Sequence, residues 1–237
     1  VILIDEYDKP LIDYLDKSNL HKALENRDIL KSFYSVLKDA DQYLKLVFIT
    51  GVSKFSKVSI FSDLNNLTDL SLADAYNEIC GISQKELEEN FVEELKAYDK
   101  EKIRKWYNGY KWDMNGFTVY NPFSLLSFFV NNGKYQNFWY TTGTPTFLMK
   151  MCREQHLYKF EEISINQDEL GNFDIENLKI IPILFQTGYL TIVGEDPLFR
   201  NYTLSFPNTE VRESYLRQLV DTYIDSSSLS SANILQD

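Results

Sequence analysis

A chain of 237 residues with 44% hydrophobic and 15% aromatic content carries enough apolar surface for one large globular domain or two smaller ones. Its 35 acidic residues against 24 basic ones leave a net charge of −11, which argues against a broad electrostatic footprint on nucleic acid. Two cysteines (Cys80, Cys152) cannot build a disulfide scaffold, the two histidines (His21, His156) fall far apart in polar surroundings, and no apolar run is long enough for a membrane span; a reduced, cytoplasmic setting without a membrane partner is expected.

Val1 to Ile4 is an unbroken run of β-branched residues and leucine, the pattern of a strand buried on both faces. It runs into Asp5-Glu6-Tyr7-Asp8, and Pro10 closes off further pairing, so polar chemistry is placed at a strand C-terminus. The run goes straight into acidic residues, and it is expected to be a strand cut open rather than a signal peptide. Residues 26–42 carry Leu30, Phe33, Tyr34 and Leu37 at helical spacing. Leu44 to Ile49 is a second buried-type strand, followed at once by Thr50-Gly51-Val52-Ser53. Strand, helix, strand is the crossover order of a parallel α/β sheet, whose ligands lie beyond the carboxyl ends of its strands. A short third strand is expected within 65–72.

From Ser83 the pattern becomes helical. Ser83 and Glu86 form a capping box ahead of the stripe Leu87, Phe91, Leu95 and Tyr98, and a further helix is expected over 101–107. Residues 108–120 read as a compact loop packed by Trp106, Tyr107, Tyr110, Trp112, Phe117 and Tyr120; an aromatic core and a base-stacking surface both fit that cluster. Pro122 opens a helix that Asn132-Gly133 stops, and another helix is expected over 147–154. Residues 178–185 read as a short helix despite Pro182, then strands over 189–193 and 201–206, then a helix over 209–223 with Val211, Tyr215 and Leu219 on one face. The expected organisation is the C-terminal part of a nucleotide-binding α/β core over 1–76, a helical lid-like region over 77–177, a winged-helix-like unit over 178–224 and a serine-rich linker over 225–237.

Four apolar residues ending in two acids suit a magnesium-dependent phosphate site. Asp5 can hold Mg²⁺ directly or through water, Glu6 can orient and deprotonate an attacking water, and Thr50 on the neighbouring strand can hydrogen-bond that water or a phosphate. Acids at strand ends also occur as solvated turn residues, and G-x-x-x-x-G-K-[ST] is absent from the chain. Asp8 fits a supporting role at the metal or a turn-stabilising one. Lys54 and Lys57 can reach a phosphate or a neighbouring subunit, or serve as ordinary surface lysines.

The blocks Val1-Ile2-Leu3-Ile4-Asp5-Glu6-Tyr7-Asp8-Lys9-Pro10-Leu11, Val47 to Phe61, Leu64 to Leu67, Trp106 to Tyr110, Tyr120 to Ser124, Thr142 to Leu148 and Leu184 to Ile192 together resemble the AAA-ATPase-like family of bacterial proteins, in order and up to about Tyr215. The resemblance implies a P-loop NTPase sheet with ATP and Mg²⁺ as ligands and an upstream phosphate-binding loop, with many members continuing into a restriction-like nuclease domain. Carried over, Asp5 orders the metal, Glu6 activates water, Thr50 is the polar residue of the sensor strand, and Lys54 and Lys57 are nucleotide-contacting candidates. This chain then reads as an internal piece, inactive by itself, of an ATP-hydrolysing protein. The alternative is a non-catalytic nucleotide-binding regulator or scaffold. A homo-oligomer or protein partner is open in both, and nucleic acid enters only through a domain beyond these residues.

Overall fold

The computed structural model describes residues 1–15, 18–54, 60–61, 66–139, 148–149, 151–152, 155, 157, 162–170, 175 and 178–223. It is a mixed helix-and-sheet protein with small sheets, in two compact units: Val1–Asp69 with Gln167–Thr187, and Leu70–Asn166 with the chain from Gly188 onward.

In the first unit, β1 (Ile2–Ile4) and β2 (Val47–Ile49) pair in parallel, with Ile2 opposite Val47, Leu3 opposite Phe48 and Ile4 opposite Ile49. The short helix α1 (Lys9–Ile12) and the long helix α2 (Leu20–Asp39) form the crossover. α2 starts well before Asn26, because Leu20 and Ala23 extend its apolar side toward the N-terminus; Ala23, Tyr34 and Leu37 are buried, while Phe33, expected on that side, is 56% exposed. The strands also differ from expectation. Leu3 is 70% exposed and Phe48 40%, so each strand has one exposed central residue instead of two buried faces. No strand forms over residues 66–72. α7 (Gln167–Leu170) and α8 (Ile180–Gln186) complete the unit. Pro182 is the third residue of α8, where the missing N–H has no intrahelical partner to lose, which is why it does not break the helix.

In the second unit, β3 (Ile82–Ser83) pairs antiparallel with β4 (Val119–Tyr120). α3 (Gln84–Asn90) begins at a complete capping box: Ser83 Oγ accepts from the Glu86 amide, and the Glu86 carboxylate accepts from Ser83 N–H at 2.9 Å. The helix breaks at Phe91 before α4 (Val92–Leu95), and α5 (Lys100–Tyr107) is capped by Asp99. α6 (Pro122–Val130) starts at Asn121, whose side chain accepts from Ser124 N–H at 3.1 Å, and is stopped by Asn132 and Gly133, both at positive φ. Leu87, Leu95, Ile103, Tyr107, Tyr120 and Phe128 fuse into one core, with the Tyr107 and Tyr135 rings stacked 6.3 Å apart. Tyr107, Tyr110 and Tyr120 of the aromatic cluster are therefore packed interior residues, with Tyr107 and Tyr120 wholly inaccessible to a base, while Trp106 and Trp112 are half-buried and Phe117 is 77% exposed.

β5 (Ile163–Asn166), β7 (Asn201–Ser205) and β6 (Thr191–Asp196) form an antiparallel sheet in that order. The hairpin was expected, while β5 was not. α9 (Thr209–Tyr223) follows, burying Val211, Tyr215 and Leu219. Gly109, at φ +120°, lies so close to Pro207 that a Cβ there would stand 1.9 Å from the Pro207 carbonyl oxygen. The expected helix over 147–154, the linker over 225–237, His156 and Lys57 fall wholly or partly outside the described residues.

Candidate functional site

Hydrogen bonds continue past the last paired residues of β1 and β2, so the two strand ends leave the sheet as one laced unit. Thr50 N–H donates to the Ile4 carbonyl at 2.8 Å and Tyr7 N–H donates to the Thr50 carbonyl at 2.9 Å. Between those bonds the chain turns sharply, and Glu6 takes a left-handed conformation at φ 51°, which a non-glycine residue adopts at a cost of order 1 kcal/mol. Such strain persists where the surroundings hold it, and here three contacts do: the Tyr7 bond on one side, the Glu6 carbonyl accepting from Lys9 N–H at 3.0 Å, and Glu6 N–H donating to Asp5 Oδ1 at 3.0 Å.

Asp5 Oδ1 also accepts from the Thr50 hydroxyl, joining the two candidate residues across the strand pair. Asp5 Oδ2 and the Glu6 carboxylate are exposed and have no side-chain or backbone partner among the described residues. A carboxylate with one oxygen fixed and the other free suits Mg²⁺, which takes one or two protein carboxylates and completes its shell with water and phosphate oxygens. The described residues contain no cluster of three His, Cys, Asp or Glu side chains for an all-protein cage.

The neighbouring loop is held by a residue for which the sequence left two roles open. Asp8 is fully buried; its Oδ1 accepts from Val52 N–H at 3.1 Å, and its Oδ2 accepts from Ser53 N–H at 2.5 Å and Ser53 Oγ–H at 2.6 Å. The Tyr7 hydroxyl adds a bond to the Ser53 carbonyl at 2.9 Å, and its ring lies 5.0 Å from that of Phe61. Asp8 is thus the clamp of the 50–53 loop. Its negative charge, after burial, also pushes up the Tyr34 hydroxyl pKa. Gly51 is required by the same packing, since a Cβ would stand 2.6 Å from the Tyr7 ring and 2.7 Å from Asp8 Oδ1. Ser53 was readable only as part of a block; its role depends on Asp8, distant in sequence.

Lys54 is not free beside this loop. Its ammonium pairs with Asp69, and its amide donates to Gln186 Oε1 at 2.6 Å, while Gln186 Nε2 donates to the Leu170 carbonyl at 3.2 Å. A phosphate contact by Lys54 would share or exchange its Asp69 partner. The structure thus joins Asp5, Glu6 and Thr50 in one site, sets Lys54 in an ion pair, and does not describe Lys57.

The sequence profile of the AAA-ATPase-like family, described as a predicted AAA-ATPase, matches residues 1–61, which contain every candidate site residue. Over 231 residues the chain is 40% identical to a protein of Azotobacter chroococcum mcd 1 described as "Uncharacterized protein in vnfD 5'region". The alignment covers 94% of this chain and 43% of that relative, so the chain spans less than half of the relative's length. No solved structure matches the chain. No described helix is long and apolar enough to cross a membrane.

Proposed function

We propose that residues 1–61 form the acid-bearing part of a magnesium-dependent ATP-hydrolysing site of the AAA-like kind, in a protein that supplies its phosphate-binding loop from elsewhere. The observation that carries this reading is the junction of Asp5 and Thr50 across adjacent parallel strand ends, with Glu6 free beside it, inside the segment that resembles the AAA-ATPase-like family. Sites in parallel sheets lie at such carboxyl ends.

In this reading Asp5 Oδ2 would hold Mg²⁺, which supplies charge neutralisation at the β and γ phosphates when bound. Thr50 keeps Asp5 from rotating by donating to Oδ1. Glu6, turned outward by its left-handed backbone, accepts the proton of the water that attacks the γ-phosphorus while the bond to the bridging oxygen breaks, giving ADP and phosphate. Asp8 fixes the loop that carries Thr50 and holds the geometry without touching nucleotide.

The test is Mg²⁺-dependent phosphate release by the intact protein, compared with Glu6→Gln. Loss of a general base typically costs roughly 10²–10⁴ in turnover. Retained nucleotide binding with turnover reduced on that scale is expected. Unchanged turnover defeats the role given to Glu6, and wild-type binding without turnover points to the scaffold alternative.

A further inference from the structure

The second unit contains a cluster of buried polar side chains that the proposed nucleotide site does not use. It lies where the loop through Tyr110, the start of α6 and the start of α9 meet. Glu210, the second residue of α9, is wholly inaccessible to solvent. Its Oε1 accepts from Trp139 N–H at 2.9 Å, and its Oε2 has no hydrogen-bond partner. Three more atoms around it are equally unpartnered: Ser124 Oγ on α6, Tyr110 OH on the loop, and Asn208 Nδ2 at the cap of α9. Their residues are 0%, 5% and 9% exposed.

These groups face one another without closing bonds. Ser124 is near enough to Glu210 to stabilise its charge, Tyr110 is near enough to Asn121 and Asn208 to feel both, and the Glu210 charge reaches the Tyr110 and Tyr107 hydroxyls. Buried polar groups are paired in native proteins, either directly or through ordered water. Tyr110 and Asn208 are each also held by other contacts. Asn208 Oδ1 is committed to capping α9 through Val211 N–H at 3.0 Å, and Tyr110 is held by its backbone bridge to Val119 and by Gly109 pressed against Pro207.

We propose that this cluster is an internal hydrated proton site, in which one or more ordered waters bridge Glu210, Ser124, Tyr110 and Asn208, and in which uptake of a proton by Glu210 latches α9 onto α6 and the Tyr110 loop. The titratable groups that face Glu210 are Tyr107 and Tyr110, whose hydroxyls burial keeps protonated, and no lysine, arginine or histidine among the described residues pairs with it. A carboxylate there stands uncompensated except by the Trp139 and Phe138 amides and Ser124. Burial outweighs these three and raises the Glu210 pKa to about 7. The proton that enters comes from bulk water and resides on a carboxyl oxygen, which then donates into the bridge. Deprotonation near neutral pH removes that donor and places a bare charge at the junction, which loosens it.

The experiment uses the full chain with ¹³C-labelled glutamate carboxyls, titrated by NMR, with the Glu210 signal assigned by its loss in Glu210→Gln. A midpoint near 7 is expected, and a midpoint in the ordinary glutamate range overturns the proposal. Ser124→Ala keeps the test independent of that variant's folding: removing a group that favours the charge moves the midpoint upward, and an unmoved midpoint removes Ser124 from the site. Crystals grown at about pH 5.5 should show water density bridging Glu210 and Ser124. Direct closure of the four groups on one another, with no water between, contradicts the hydrated site.

Discussion

Replacing Asp8 separates a clamp from a space-filling residue. The carboxylate accepts three hydrogen bonds, two of them from Ser53, which is 5% exposed, and one from the amide of Val52, which is 43% exposed and so partly hydrated. Removing an acceptor from a buried donor costs about 1–3 kcal/mol, with charged acceptors toward the upper end. Counting the two Ser53 donors alone, Asp8→Ala should destabilise the first unit by about 3 kcal/mol. Asp8→Asn is the sharper variant because it preserves volume while turning an NH₂ group against one set of donors, so it should recover less than half of that loss. The assay is hydrogen exchange of the Val52 and Ser53 amides alongside urea unfolding followed by circular dichroism; the three tryptophans all lie in the second unit, which makes fluorescence blind here. A loss under about 0.5 kcal/mol for both variants, with unchanged amide protection, refutes the clamp, since ordinary surface substitutions fall in that range.

Four further outcomes follow from the geometry. Thr50→Val removes the hydroxyl bond to Asp5 Oδ1, leaving that oxygen only the Glu6 amide, and should lower Mg²⁺ affinity or turnover of the intact protein roughly 10–100-fold, the usual effect of losing a group that orients a metal ligand; isothermal titration with Mg²⁺ checks it. Gly109→Ala places a Cβ against the Pro207 carbonyl at a left-handed φ and should cost more than about 2 kcal/mol in thermal or urea unfolding. Ser83→Ala removes one half of the α3 capping box and should cost about 1 kcal/mol in the same measurement. Glu210 has a folded-state pKa of about 7 against an ordinary 4.5, so the stability it contributes is full below about pH 4.5, is lost as pH rises toward 7, and is absent above. At about 1.36 kcal/mol per pH unit the whole span is roughly 3 kcal/mol as an upper figure, and in urea unfolding Glu210→Gln should lack this component of the pH dependence.

Local signals were legible wherever the deciding contacts lie within a few residues. The Ser83-Glu86 box, Pro122 at the head of α6 and Gly133 behind it each act within one helical turn, and the structure shows all three. The order strand, helix, strand and the juxtaposition of Asp5 with Thr50 were also readable, because a parallel crossover fixes which ends of its strands share an edge. What escaped depends on partners far along the chain. β5 is four residues long and exists through pairing with Asn201 to Leu204, so its own sequence carries little strand signal. The exposure of Leu3, Phe48 and Phe33 is set by what lies against them, which periodicity does not specify. Glu210 reads as an ordinary acid in the first turn of a helix, the position a helix dipole favours, and only the meeting of α6, α9 and the Tyr110 loop turns it into a buried group. Asp8 was ambiguous for the same reason, since Ser53 gives it its role.

The most direct test of the account is a structure of the intact protein with Mg²⁺ and a non-hydrolysable ATP analogue. It should place the metal within about 4 Å of Asp5 Oδ2, directly or through one water, with the Glu6 carboxylate about 3 Å from a water in line with the γ-phosphate. A metal and triphosphate bound elsewhere, with Asp5 still held only by the Thr50 hydroxyl and the Glu6 amide and the Glu6 carboxylate facing bulk solvent, would contradict it.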